Sequence, residues 1–301
     1  MPSSHPLVFD GILFFIMALT TPATPGFLDA STVEVLRDVS GTRPPRCALF
    51  DFDGTLSLIR EGWPQIMIPM MVDILKESGT GESDEELERV VTDFVTELTG
   101  RQTIYQMIRL AEELGKRGGA PADPQDYKSR YLDLLMEKIR HRRLRLRTGK
   151  ARPADYLVPG SVQMLRALRE HGVQLYLASG TDEQYVREEA RLLELDGFFG
   201  GHIYGAREDY ANHSKRMVIQ RILRENRIEG ASLVGFGDGY VEIENVKSCG
   251  GVAVALATDE ANPGGAPDPW KRTRLSAAGA DLLVPDFRDW KVLIRCLFQR
   301  T

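Results

Sequence analysis

From Pro159 to the C-terminus, short apolar runs alternate with stretches whose apolar residues recur at helical spacing. Gly160 to His171 carries Val162, Leu165 and Leu168 on one stripe and stops at Gly172, which predicts a helix. Val173 to Ala178 is a continuous β-type run and predicts a strand. Thr181-Asp182 opens a helix expected to reach about Leu195. Ser214 is a good N-cap for a helix with Val218, Ile219, Ile222 and Leu223 on one face. Leu233 to Gly235 predicts a strand, Tyr240 to Ser248 a helix, and Val252 to Leu256 another strand. Leu282 to Pro285 predicts a last strand before a terminal helix. Alternation of this kind implies an α/β fold, a parallel sheet with helices on both faces. Ligands of such sheets bind beyond the carboxyl ends of the strands.

Between Leu56 and about Asp155 the period is helical only. Ser83 to Leu98, Ile104 to Leu114 and Asp126 to Ile139 read as amphipathic helices, with no strand among them. A helical insertion over 59–155 therefore interrupts a core made of 41–58 and 156–301. Residues 1–40 are expected to be an extension of uncertain order. Within them Gly11 to Leu19 is apolar, but no Lys or Arg precedes Arg37, so the positive start of a signal peptide is missing. The run is too short to span a bilayer, and no stable membrane insertion is expected.

At 301 residues and 43% apolar content the chain can bury a substantial core. A net charge of −5 argues against a nucleic-acid binder, whose footprint would be basic. Three widely spaced cysteines, Cys47, Cys249 and Cys296, make no disulfide or metal pattern, in keeping with reduced thiols in a cytoplasmic protein.

Asp51-Phe52-Asp53-Gly54-Thr55 changes this picture, because it directly follows the apolar run Cys47 to Phe50. Burying either carboxylate without a partner would cost several kcal/mol, on the order expected for uncompensated charge. A hard divalent cation such as Mg²⁺ compensates such oxygens. Two residues apart in an extended segment, Asp51 and Asp53 lean toward one site, an arrangement suited to a nucleophile beside a proton donor. The motif resembles the first signature of the haloacid dehalogenase superfamily, in its phosphatase branch. Three further segments are similar to the remaining signatures and occur in the family's order: Ser179-Gly180 at a strand end, Lys215 at a helix start, and Gly237-Asp238 followed by Glu242. Arg216 competes with Lys215 for its role, and Glu244 and Asn245 are neighbours of Glu242. Glu242 stands where the family more commonly has Asp.

The resemblance implies a Rossmann-like core whose insertion is an α-helical cap, and a Mg²⁺-dependent phosphohydrolase. Asp51 would attack phosphorus and Asp53 would act as acid, then base. Mg²⁺ would be held by Asp51, the Asp53 carbonyl and Asp238, with Glu242 supporting. Gly54, Ser179, Gly180 and Lys215 would hold the phosphoryl oxygens. The expected partner is a small phosphate ester, with a sugar phosphate favoured, and the chain a monomer or homodimer. A sugar phosphomutase of the β-phosphoglucomutase kind, and a non-catalytic ligand-binding protein, are the alternatives. Arg60 and Trp63, and Arg101 and Gln102 in a polar break between cap helices, are the candidates for leaving-group recognition. The basic run Arg140 to Arg152 is expected to be a solvated helix face.

Overall fold

The computed structural model describes residues 26–28, 30–207 and 214–298. Gly11 to Leu19, the apolar run noted above, lies outside them. The strands are β1 (Gly26–Phe27), β2 (Glu34–Val35), β3 (Cys47–Phe50), β4 (Gln174–Asp182), β5 (Ile203–Ala206), β6 (Leu233–Gly237), β7 (Val252–Leu256) and β8 (Leu282–Val284). They form one sheet in the order β1-β2-β8-β7-β6-β3-β4-β5. From β3 onward all pairings are parallel, while β1 and β2 add antiparallel at the β8 edge. Every residue of β3, β6, β7 and β8 is buried, as expected where helices cover both faces.

The helices are α1 (Pro64–Lys76), α2 (Asp84–Glu97), α3 (Thr103–Lys116), α4 (Pro124–Arg147), α5 (Ser161–Glu170), α6 (Glu183–Leu192), α7 (Asp196–Phe199), α8 (Lys215–Asn226), α9 (Tyr240–Ser248), α10 (Pro269–Ala277) and α11 (Trp290–Phe298). Successive residues of β3 point to opposite faces. Ala48 and Phe50 join the apolar cluster that continues into α5 and α11, and Cys47 and Leu49 join a second one under α8 and α9. Phe50 stacks on Phe236 of β6 at 4.4 Å between ring centres, which locks the two strands side by side.

Helices α1 to α4 follow β3 and precede α5. Ser83 accepts from the Glu86 N–H and Glu86 from the Ser83 N–H, a reciprocal cap that starts α2. Asp123 caps α4, with Pro124 in its first turn. The chain leaves and re-enters the sheet layer through adjacent segments, because Leu58 N–H donates to the Tyr156 carbonyl and Val158 N–H to that of Leu56.

Several elements differ from expectation. The strand expected to end at Ala178 runs to Asp182, so α6 begins at Glu183 and stops at Leu192. The cause is β5, which pairs with β4 across an irregularity between Ala178 and Asp182 and keeps the chain extended. Its four residues are too short to signal themselves. Residues 34 and 35, assigned to the extension, supply β2, held partly by Glu34 on Arg272. The basic run is not simply a solvated face. Arg142 donates to the carbonyls of Ile59 and Glu61, and Arg143 and Arg147 both reach Glu188 of α6. Their long side chains span the gap between α4 and the sheet layer, which a count of charges cannot reveal. Arg140, Arg147 and Arg152 do remain exposed. No helix of the described residues is long and apolar enough to cross a membrane.

Candidate active site

The sheet order reverses beside β3: the chain goes to β4 and β5 on one side, then to β6, β7 and β8 on the other. A crevice opens at such a switch point. Phe50 is level with Leu177 of β4 and Phe236 of β6, so Asp51, Ser179 and Asp238 emerge together at the carboxyl end. They line a cavity of about 100 Å³ with Asp53, Lys215 and Glu260.

Asp51 continues the ladder for one residue, its N–H donating to the Phe236 carbonyl at 2.9 Å. The chain then turns tightly, with the Phe52 carbonyl accepting from the N–H groups of Leu56 and Ser57. Gly54 adopts φ +73°, and a Cβ there would run into the Asp238 carboxylate, so this turn needs glycine twice over. Its N–H donates to the Ser57 carbonyl at 2.9 Å, so that donor, expected to meet a phosphoryl oxygen, is engaged within the turn.

Asp51 Oδ1 accepts from the Phe52 N–H at 2.8 Å and lies 3.0 Å from Lys215 Nζ. Burial pushes its carboxyl above the ordinary range, Lys215 opposes this, and Asp238 adds to it. Asp53 Oδ2 accepts from the Thr181 hydroxyl at 2.9 Å and from Ser179 at 3.5 Å. Burial pushes the Asp53 carboxyl up to about 7, against the pull of Arg60 and with help from Glu189 and Asp51. A carboxyl with that value can both give and take a proton near neutrality.

Glu242 was expected to support the metal, directly or through water. It does not line the cavity; its carboxylate pairs with Lys215 and faces Gly100 and Gly239, where any Cβ would crowd it. Lys215 thus bridges Asp51 and Glu242. Asp238 is held by Lys271, whose Nζ lies 2.8 Å from Asp238 Oδ2 and 2.7 Å from Glu260 Oε1. Burial alone would lower the Lys271 ammonium, yet the two carboxylates hold it above its ordinary value. Glu260 and Lys271 belong to the site although no reading of the sequence singled them out. They follow β7 and begin α10, and only folding brings them to β3.

Among the described residues, no three His, Cys, Asp or Glu side chains form a cluster able to hold a metal by themselves. Asp51 and Asp238 do face one cavity as two repelling hard-oxygen groups. Two carboxylates with a backbone carbonyl suit Mg²⁺, which keeps several waters and takes oxygens from its substrate.

The loop between α2 and α3 closes over this end of the sheet. A Cβ on Gly180 would lie 2.5 Å from the Arg101 carbonyl oxygen, and one on Gly239 would lie 3.1 Å from the Gly100 Cα. The Tyr240 hydroxyl donates to the Glu97 carbonyl at 2.6 Å. Trp63 and Arg101 line the cavity, and Arg101 lies over the Tyr105 ring. Gln102 is buried at the start of α3 and faces an adjoining cavity of about 270 Å³ instead. Arg60 is buried and bound to Glu189. Thr181, not assigned from the sequence, is the nearest donor to Asp53.

A parallel sheet with two carboxylates at the end of its central strand, a lysine on the first and a third carboxylate opposite defines a hydrolase of the haloacid dehalogenase type. The chain belongs to that family: residues 45–250 match the haloacid dehalogenase-like hydrolase model. No curated protein matches it. Among solved structures it is similar to a predicted phosphoglycolate phosphatase from Haemophilus somnus (17% identity, TM-score 0.54, covering 84% of this chain and 99% of that one). It is also similar to a β-phosphoglucomutase from Clostridium difficile (11% identity, TM-score 0.55, 84% and 97%). A third is a predicted phosphatase from Clostridium acetobutylicum (14% identity, TM-score 0.53, 84% and 100%). At these identities the likeness is one of fold.

Proposed function

We propose that this protein is a Mg²⁺-dependent phosphomonoesterase acting on a small phosphate ester, a sugar phosphate by preference, through an aspartyl phosphate on Asp51. The observation that carries this reading is the contrast between neighbouring carboxyls. Burial raises both carboxyls, but Asp51 is paired with the Lys215 ammonium, which opposes that rise, whereas Asp53 is held by the hydroxyls of Thr181 and Ser179.

An Asp51 oxygen attacks phosphorus in line as the bond to the leaving oxygen breaks. Asp53 gives its proton to that oxygen, then takes one from the water that attacks the aspartyl phosphate. Lys215 holds Asp51 and offsets charge on the phosphoryl oxygens, and Glu242 holds Lys215 from behind. The Asp51 carboxylate, the Asp53 carbonyl and Asp238 would hold Mg²⁺, which supplies charge neutralisation at the phosphoryl group. Helices α1 to α4 serve as the cap, with Trp63 and Arg101 meeting the leaving group.

Asp51→Asn tests the reading. The near-isosteric amide cannot form the acyl phosphate. Turnover of a generic aryl phosphate should vanish while the melting curve stays within a few degrees of wild type. More than a small residual turnover would remove Asp51 as nucleophile. Release of inorganic phosphate, rather than transfer between sugar hydroxyls, marks hydrolysis over mutase chemistry.

A further inference from the structure

The cavity of about 270 Å³ beside the active site is walled from both sides of the joint between the helical insertion and the sheet layer. Arg101 and Tyr105 come from the insertion, Tyr204 from β5, Arg216 and Val218 from α8, and Val241 and Asn245 from α9. The residues it shares with the active-site cavity, Arg101, Gly180 and Lys215 among them, form the wall between the two. That wall is tight at Gly180, where even a Cβ would meet the Arg101 carbonyl oxygen at 2.5 Å. An ester seated on Asp51 is thus partitioned from the second cavity. No Asp or Glu lines this space among the described residues, although the chain carries a net charge of −5. Its cations are Arg101, Lys215 and Arg216. Lys215 is held by Asp51 and Glu242, whereas Arg216 pairs with no carboxylate of the described residues. The first turn of α8 opens on the same space and adds favourable potential for an anion. The rest of the wall is largely apolar, with the rings of Tyr105 and Tyr204 beside Val218 and Val241.

We propose that this second cavity is an effector site for a small organic anion with an aromatic body, distinct from the substrate. An inorganic anion would leave the tyrosines and valines unused, and a neutral ring would leave Arg216 without a counter-charge. The lining therefore selects a molecule that carries both features. Its ring packs against Tyr105 and Tyr204, its charge meets Arg216 and Arg101, and the Asn245 amide offers a donor and an acceptor at the rim. Arg101 and Lys215 each border both cavities. A ligand that draws on Arg101 shifts the group that meets the leaving group, and one that rests on the first turn of α8 shifts how Lys215 is held against Asp51. Binding thus alters turnover without occupying the phosphoryl site, and by linkage a bound ester alters the effector's affinity in return. Binding itself does not depend on Asp51 being the nucleophile.

The probe is naphthoate, a fused aromatic carboxylate, with the neutral naphthalenemethanol as control, each titrated into the full chain by calorimetry. Naphthoate should bind with a Kd below about 1 mM, and the alcohol about tenfold more weakly, the value of one hydrogen bond to a charged group. Arg216→Gln should remove that difference. Val218→Trp, which fills the cavity, should weaken naphthoate at least about tenfold while leaving turnover of p-nitrophenyl phosphate in its absence unchanged. Should Val218→Trp not fold, Asn245→Trp fills the same space from α9 and takes its place. Saturating naphthoate should change kcat on p-nitrophenyl phosphate, not KM alone. In Asp51→Asn, which holds that ester without turning it over, rising ester should carry the apparent Kd of naphthoate to a plateau. The proposal is overturned by any of four results: no binding to the wild type at about 1 mM, equal affinity for acid and alcohol, full affinity in the filled variant, or kcat unchanged at saturation. A Kd that climbs in proportion to the ester, as direct competition requires, would overturn it equally, by making the space part of the substrate site.

Discussion

Lys271→Met tests whether the cluster behind Asp238 is what holds that carboxylate in place. The ammonium lies 2.8 Å from Asp238 and 2.7 Å from Glu260, and the three side chains are 13%, 13% and 19% exposed. Methionine keeps most of the volume but removes the charge, leaving two carboxylates facing one another out of water. Removing one partner from a buried ion pair costs about 3–5 kcal/mol. At about 2–4 °C per kcal/mol for a chain of roughly this size, the melting temperature should fall by about 10 °C. Burial already raises the Glu260 carboxyl, so it relieves part of the cost by taking a proton. A carboxyl raised in the folded state favours folding at low pH and loses that advantage as pH rises through its folded value. The deficit should therefore be smaller at pH 5 than at pH 8. Adding Glu260→Gln should restore most of the stability, and Mg²⁺ at about a hundred times its Kd should return about 2.7 kcal/mol. The assay is thermal unfolding at two pH values with and without Mg²⁺. A Lys271→Met protein that melts within about 1 °C of wild type, at both pH values, would refute the reasoning.

Asp53→Asn should slow alkyl phosphates far more than p-nitrophenyl phosphate, by about 10²–10⁴-fold, as measured by steady-state kinetics on both. With the Asp53 carboxyl pushed up to about 7, wild-type kcat on alkyl phosphates should decline as pH rises above that value, since the acid must be protonated when the ester bond breaks. A flat pH–rate profile between pH 5 and pH 9, roughly two units either side of that value, would contradict this. Gly54→Ala should destabilise by about 1–2 kcal/mol from its left-handed backbone and also weaken Mg²⁺ binding, read by calorimetry, by displacing Asp238. Arg101→Ala should reorder the preference among natural phosphate esters while sparing small aryl phosphates, and a uniform loss over a substrate panel would point to cap closure instead.

Much of this protein was legible along the chain because the physics behind it is local. A four-residue apolar run needs burial on both faces and so becomes β3, and carboxylates directly after it must emerge at its end. Ser83 and Glu86 close their reciprocal cap within one turn, and the stripe through Ile219 and Ile222 predicted which face of α8 packs inward. Order along the chain also allowed Asp51, Ser179, Lys215 and Asp238 to be placed at one end of the sheet. The partners of these groups were not legible, because they are chosen by contacts between residues far apart in sequence. Lys271 reaches Asp238 across 33 positions, Thr181 reaches Asp53 across 128, and Glu189 reaches Arg60 across 129. Arg143 looked like a surface charge, yet folding sets it on Glu188, and Glu242, expected to support a metal, lies on Lys215. A sequence specifies which groups cannot remain alone in a low-dielectric interior. Which group answers each of them is decided only when the strands and helices pack.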